Sequence, residues 1–286
     1  LKAPMMPPSK RSLRAILPKT SLNEALLLSP PEPATTTVFY FPGCGSERLY
    51  STIAEAAIYD LLKTGTRVVL PPAHLCCGFP ARANAKTRMH SDVTLRDTII
   101  LSQIREMFGY IHFDAVIVSC GTCRESLREL GTEEIFNCSL ADIAHFVMEH
   151  APERFTSTTA RPFFYHAPCH DSLQGEGPLM LRQIGGQVTA VPGCCSEAGT
   201  LALSRPDIAG AMLKRKRDAL QSALSGEPHA TTIATNCPSC ISGLGRNRDL
   251  HVTPQHLAVI LAENLGGANW RKELHNLLKT AEVVTF

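Results

Sequence analysis

From residue 37 onward, short apolar runs alternate with longer segments whose apolar positions recur three or four apart. Residues 37–41, 67–70 and 115–119 are runs of strand length. Between the first two, Leu49, Ile53, Ala56, Ala57 and Leu61 lie at helical spacing over 46–64, and Gly65 ends that helix. A long helical stretch over 84–107 follows the second strand. A short helix opening at residue 120 follows the third, with Leu127 and Leu130 facing inward. A fourth strand is expected at 135–137 and an amphipathic helix at 140–148. The same order then returns, with strands expected at 162–166, 187–191, 231–235 and 250–252 and helices at 173–184, 206–224 and 254–264. Residues 270–286 read as a C-terminal helix and short tail, with Trp270 an anchor packed on the second unit. Strand, crossover helix and strand in sequence predict parallel sheets, so the fold class is α/β.

Residues 1–36 break this pattern. They are rich in proline, carry Lys2, Lys10, Arg11 and Arg14, and close on Pro30-Pro31-Glu32-Pro33. This composition predicts a linker or N-terminal extension with one short helix at 22–28, or alternatively a basic docking arm. The division that follows is 1–36, a first unit at 37–158, a second at 159–267 and a tail at 268–286. Because the chain begins with Leu1, it is expected to be the C-terminal piece of something longer.

The cysteines give the alternation its chemistry. Cys44, Cys76-Cys77 and Cys120-x-x-Cys123 are answered by Cys169, Cys194-Cys195 and Cys237-x-x-Cys240. The offset is 125 residues for the first member and 117 or 118 for the other four, which marks an internal duplication. The text around the thiols repeats as well: Phe39-Tyr-Phe-Pro-Gly-Cys44 answers Phe164-Tyr-His-Ala-Pro-Cys169. Each set reads as thiols delivered at the C-terminal ends of strands, where open α/β sheets bind ligands. Cys44 precedes a helix start, where backbone N–H groups and the positive helix end favour a thiolate.

Composition narrows the field. With 44% hydrophobic and 19% charged residues and a formal charge of +2 over 286 residues, the chain has the make-up of a soluble globular protein with no polyanion signature. Nucleic acid is therefore set aside. No apolar run reaches the length of a membrane span, and no signal peptide precedes the eleven cysteines. A reducing cytoplasm is the expected compartment, where clustered thiols are metal ligands or redox groups rather than disulfides. Soft thiolates select zinc, copper(I) or iron–sulfur clusters. Four thiols satisfy tetrahedral zinc or a cubane, so a fifth, with two adjacent thiols splaying apart, favours a polynuclear cluster. A four-cysteine zinc site with a spare thiol and a set of packed or redox-cycling thiols are the competing readings. Cys138 has no counterpart and reads as a small buried hydrophobe.

The double pattern Cys, Cys-Cys-Gly, Cys-x-x-Cys resembles the cysteine-rich CCG domains of heterodisulfide reductase. Related modules are those of the iron–sulfur subunits of glycolate oxidase, anaerobic glycerol-3-phosphate dehydrogenase and the lactate-utilisation complex. The run Ser196-Glu-Ala-Gly-Thr-Leu-Ala-Leu-Ser-Arg-Pro-Asp is similar to the C-terminal region of fused FAD-linked D-lactate dehydrogenases. The resemblance covers residues 37–265 and implies two tandem pseudo-symmetric Rossmann-like units. It implies up to two [4Fe-4S] clusters of the noncubane type, one on Cys44, Cys76, Cys77, Cys120 and Cys123, the other on Cys169, Cys194, Cys195, Cys237 and Cys240. Ser196 after the second pair departs from the glycine pattern, and the spacing from Cys169 to Cys194 is shorter than its counterpart.

Cations near the thiols, Arg48, Arg82 and Arg124 in the first half and Lys214, Arg215, Lys216 and Arg217 in the second, read as solvated charge or as groups that tune a cluster. His74, His166 and His170 read as structural histidines, proton partners or spare ligands, and Asp171 and Ser172 as helix caps.

The expected function is an electron-transfer module of an oxidoreductase. It relays electrons from a flavin-containing dehydrogenase of a lactate- or glycolate-type 2-hydroxy acid towards quinone or another acceptor. FAD would sit only on a partner or upstream domain, with a ferredoxin-like iron–sulfur domain also upstream and the inner face of the membrane as a peripheral site. No G-x-G-x-x-G fingerprint or P-loop lysine occurs in this chain. The alternatives are a disulfide reductase acting at an open cluster and a zinc-bound assembly module.

Overall fold

The computed structural model describes residues 8–156, 161–197, 201–225 and 231–286. In chain order the strands are β1 (Glu24–Leu28), β2 (Thr36–Phe41), β3 (Thr66–Leu70), β4 (Ala115–Val118), β5 (Ser139–Asp142), β6 (Arg161–Tyr165), β7 (Gly186–Ala190), β8 (Thr231–Thr235), β9 (Val252–His256) and β10 (Glu282–Thr285). The helices are α1 (Ser51–Lys63), α2 (Phe79–Ala83), α3 (Thr87–Met107), α4 (Gly121–Glu129), α5 (Thr132–Phe136), α6 (Ile143–His150), α7 (Gly177–Gln183), α8 (Leu201–Ser204), α9 (Pro206–Ala223), α10 (Pro238–Leu244), α11 (Leu257–Gly266) and α12 (Trp270–Leu277).

Two sheets result, ordered β10-β1-β3-β2-β4-β5 and β7-β6-β8-β9. The four strands β3-β2-β4-β5 and the four strands β7-β6-β8-β9 are parallel and follow one order, so the duplication in the sequence is a duplication of topology. The fold is mixed α/β, as expected. Val38 to Phe41 and Val68 to Leu70 are buried without alternation, as strands covered on both faces require. Helices α1, α6, α7, α11 and α12 share one core between the sheets, built from residues of both halves such as Ile58, Leu61, Val147, Leu181 and Ile260. Among the described residues no helix is long and apolar enough to cross a membrane.

Several local expectations are corrected. Residues 22–28 are not helical: β1 pairs antiparallel with β3 on one side and with β10, from the tail, on the other. Nor do residues 8–36 behave as a free linker or basic arm. Leu13 and Leu26 are fully buried, and Arg14 is folded inward to donate to Pro71 O at 2.8 Å and Pro72 O at 3.2 Å. Lys2 lies outside the described residues, as does the 158/159 boundary.

The fourth strand is β5 rather than 135–137. Residues 132–136 form α5, whose Phe136 ring stacks on Phe39 at 4.6 Å, and the apolar residues read as strand are a helix packing face. The helix read from 140 begins at Ile143, because Asp142 accepts from Ala144 N at 2.9 Å and caps it. Likewise the last parallel strand runs to His256, through Pro254, and the helix read from 254 starts at Leu257. A proline is tolerated there because β9 is an edge strand. Trp270 anchors the halves to each other rather than packing on the second alone, its ring 5.8 Å from that of Tyr59 in α1.

Candidate functional site

Every parallel strand that ends near a cysteine does so at the same edge of its sheet. In the first half Cys44 follows β2, Cys76 and Cys77 follow β3, and Cys120 follows β4, with Cys123 in the first turn of α4. Cys76 Sγ is 3.8 Å from Cys44 Sγ, and Cys123 Sγ is 3.5 Å from Cys77 Sγ. Cys76 also meets Cys77, and Cys120 meets Cys123, so all five predicted thiols are brought together. The second half repeats this: Cys240 meets both Cys195 and Cys237, and Cys194 lies beside Cys169. Cys138 stays outside both sets, half-buried against the core of the first half.

The two sets also meet each other, since Cys120 faces Cys237. Two glycine contacts bring the halves this close, and the duplication relates them. A Cβ on Gly45 would lie 2.9 Å from Pro238 Cβ, and one on Gly121 would lie 1.7 Å from His170 O. Gly45 and His170 each follow the first cysteine of their set, and Gly121 and Pro238 each follow the third-strand cysteine. Behind them a buried pair recurs, with the Tyr40 hydroxyl 2.8 Å from Ser119 Oγ and the Tyr165 hydroxyl donating to Asn236 Oδ1 at 3.2 Å. Ser119 and Asn236 each precede a ligand-set cysteine, so the tyrosines fix where the strand ends.

The loops aim backbone N–H groups at sulfur. Cys120 and Cys237 occupy the N-cap positions of α4 and α10 with extended backbone, so the amides of Thr122, Cys123 and Cys240 in the first turns lie on the side of their sulfurs and favour the thiolates. Ser196 N donates to Cys194 Sγ at 3.4 Å, as Gly78 N does to Cys76. The departure at Ser196 is absorbed by the backbone. Gly78 has φ 78° and Ser196 φ 69°, so the serine takes the left-handed turn that glycine adopts freely.

Packed thiols at these separations cannot all ionise unaided. Cys123, foremost among its neighbours, drives the Cys120 thiol well below its ordinary range and is itself pushed well above by Cys120. Cys195 is likewise held low, chiefly by Cys240 and, against the opposing effect of burial, by the His166 ring, while Cys240 is pushed high by Cys195. Sulfur donors that oppose one another's ionisation, with N–H groups supporting the thiolates, suit soft cations placed among them. By donor chemistry the site therefore fits a thiolate-bound metal cluster. A cavity of about 270 Å³ opens on the first set, lined mainly by apolar atoms and reaching Cys44, Cys77, Cys120 and Cys123 past Tyr50 and Phe79.

The cations and histidines expected around the thiols are only partly at the site. Arg48 is exposed, Arg82 pairs with Glu129, and Arg124 donates to Leu140 O at 3.3 Å. Lys214 and Arg215 are exposed and Arg217 pairs with Asp249. Lys216 is different: it is 1% exposed, and burial pulls its amine down to about 8. His74 holds buried Glu47, and His170 pairs with Glu125. His166 is buried, and a ring nitrogen lies within 4.8 Å of the Cys195 and Cys240 sulfurs. Asp171 accepts from Leu173 N at 2.9 Å and Gly175 N at 2.8 Å, capping the turn before α7, whereas Ser172 donates to Asp142. The run from Ser196 lies partly outside the described residues.

Sequence reasoning missed Arg14, which ties down the Pro71-Pro72 turn that leads into Cys76, and Asp97, a buried carboxylate of α3 paired with Arg96 and near Cys76. Neither stands near a cysteine in sequence. Only an apolar helix face interrupted by an acid hinted at the second.

A doubled α/β unit with two sulfur-lined edges facing each other defines the class, and the chain belongs to the CCG cysteine-rich domain family, which matches residues 38–128 and 163–245. An uncharacterized iron–sulfur protein of Methanococcus maripaludis is 25% identical over 216 residues, 71% of this chain and 40% of that protein. The glycolate oxidase iron–sulfur subunit of Escherichia coli is 30% identical over 118 residues, 38% of this chain and 28% of that one. Lactate utilization protein A of Exiguobacterium sp. is 21% identical over 253 residues, 80% of this chain and 98% of that one. The chain thus spans about two fifths of the archaeal relative's length and nearly all of the lactate utilization protein's.

Proposed function

We propose that this chain is an iron–sulfur electron-transfer module of an oxidoreductase, serving a flavin-containing dehydrogenase of a lactate- or glycolate-type hydroxy acid and passing electrons on towards quinone or another acceptor. The observation that carries the reading is the meeting of two repeated sets of five thiols at one junction. Each set, Cys44, Cys76, Cys77, Cys120 and Cys123 or Cys169, Cys194, Cys195, Cys237 and Cys240, holds one [4Fe-4S] cluster, with five sulfurs and an adjacent pair favouring the noncubane form. The units are taken as 37–158 and 159–267. A bound iron–sulfur cluster supplies one-electron redox chemistry. The chain itself supplies thiolates, N–H groups of the helix starts that offset their charge, and a route short enough for an electron to pass between the sets through the Cys120–Cys237 contact.

The glycolate oxidase and lactate utilization relatives support this reading over a zinc-bound assembly module. The test is metal and sulfide content of anaerobically purified protein. About eight irons per chain, with visible absorbance that bleaches on reduction, are expected for two four-iron sites. Stoichiometric zinc with no visible band would favour the assembly module. Disulfide reduction stays as a second reading because the cavity beside four first-set thiols admits a small ligand. Turnover of a CoM–CoB-type disulfide by the reduced protein, without a partner, would favour it over the relay.

A further inference from the structure

The duplicated halves are alike in topology and thiols but not in the charge placed behind them. In the first, α3 places buried Asp97 near Cys76, and its charge is balanced by Arg96, 3.1 Å away. In the second, α9, the corresponding crossover helix, sends Lys216 to the loop before Cys194. Its amine lies 3.0 Å from Pro192 O, 3.2 Å from Gly193 O, 3.3 Å from Val191 O and 3.0 Å from His166 Nδ1. Among the described residues it has no carboxylate partner, and its anionic neighbours are the thiols Cys195, Cys240 and Cys194. At the position of His166 the first half has Phe41, which can donate nothing.

Three carbonyls around the amine can only accept, so the arrangement calls for an ammonium. An ammonium has no lone pair, so Nδ1 of His166 accepts and the neutral ring carries its proton on Nε2. Nε2 is buried and meets no hydrogen-bond partner among the described residues. The ring is already beside Cys195 and Cys240, with a nitrogen within 4.8 Å of both sulfurs, so this N–H is the group left to donate towards a sulfur-bound centre. A buried cation without a carboxylate is costly unless an anion stands near it, and here that anion is the thiolate set.

From this we infer that the Lys216–His166 pair makes the second site the higher in reduction potential, so that an electron shared between the two sites rests on the second. A fixed positive charge and an N–H donor both favour the more negative, reduced form of a cluster, whereas the first site sees a neutral ion pair and a phenyl ring. One electron leaves the first site, which is oxidised, and enters the second, which is reduced, with no proton transferred; the electron enters the pair from the reduced flavin of the partner. The inference rests on both sets holding redox-active clusters. Lys216 and His166 are positioning residues, acting on potential rather than on substrate.

The test is a potentiometric titration with dithionite, followed by electron paramagnetic resonance, of the anaerobically loaded full chain. Cys195→Ser and Cys77→Ser proteins isolate the first and second sites respectively. The second site should titrate at the higher potential, and Lys216→Met should lower it while leaving the first unchanged. Lys216→Arg should restore it, and His166→Phe should lower it by a smaller amount. If Lys216→Met does not load, His166→Phe and the order of the two isolated sites still decide. Equal potentials, the reverse order, or a Lys216→Met shift confined to the first site would overturn the inference alone. Absence of a reducible centre in both single-site proteins would overturn the electron-transfer reading as well.

Discussion

Gly121→Ala is the sharpest probe of how the halves meet. Gly121 begins α4 with its φ outside the left-handed region, so alanine is conformationally welcome there, and helix propensity alone would stabilise by up to about 1 kcal/mol. Against this stands a Cβ only 1.7 Å from His170 O and 2.5 Å from His170 C. Both are backbone atoms, so no rotamer change relieves the overlap, and the loop carrying Cys169 and His170 must retreat by more than an ångström. Overpacking of this kind costs about 1–3 kcal/mol, and a backbone obstacle puts it at the upper end, leaving a net loss of about 2 kcal/mol. Urea unfolding should report that loss, together with reduced metal retention by the second set, whose first cysteine is displaced. Gly210→Ala is the matched control: exposed on α9 with nothing near its Cβ, it should gain about 0.5–1 kcal/mol. A Gly121→Ala protein as stable as wild type, or more so, would refute the packing of the two cysteine loops described here.

Two further outcomes follow from buried groups between the halves. His256 caps α11 through Nδ1 and donates from Nε2 to Ser119 O at 3.1 Å; burial lowers it from 6.5 to about 4, so it contributes stability that is lost as pH falls from 6.5 through 4. Asp142, its counterpart cap on α6, is raised by burial from 3.8 to about 6 and acts in the opposite sense, losing stability as pH rises through that window. The stability of wild type relative to His256→Asn, which keeps a capping side chain but does not titrate, should therefore shrink by about 3 kcal/mol between pH 7 and 4 in urea titrations. A pH-independent difference would mean His256 is not buried as a neutral ring. Trp270→Ala should cost about 3–5 kcal/mol, because its ring is 2% exposed and joins α12 to Tyr59 of the first half; a loss under 1 kcal/mol would show that this junction is not packed.

What the chain discloses in advance is what its neighbours in sequence determine. Cys44, Cys120 and Cys237 sit where an apolar strand ends and a helix starts, and both features are local, so the thiol sets and the doubled α/β order could be read directly. Strand β1 could not, because its partner β10 lies some 250 residues away and nothing in residues 24–28 announces it. Pro254 suggested a helix start because only the finished sheet reveals that β9 is an edge. Arg14, Asp97 and Lys216 reach the cysteine loops from distant elements; the sequence offers Lys216 only as one of four adjacent cations that read as solvated charge or as cluster-tuning groups, and gives Arg14 and Asp97 no such role. That Lys216 alone in the run of four basic residues 214–217 is buried depends on which face of α9, the one carrying Leu220, packs against the second sheet, a property of packing rather than of composition.

Whether each half holds its own iron on its own five cysteines is open to a direct count. Iron and acid-labile sulfide should be measured in the wild-type, Cys77→Ser, Cys195→Ser and doubly substituted chains, all purified anaerobically. About half the wild-type iron is expected in each single variant and almost none in the double. Complete loss of iron from either single substitution would contradict separate sites, and would point instead to one site shared across the Cys120–Cys237 contact.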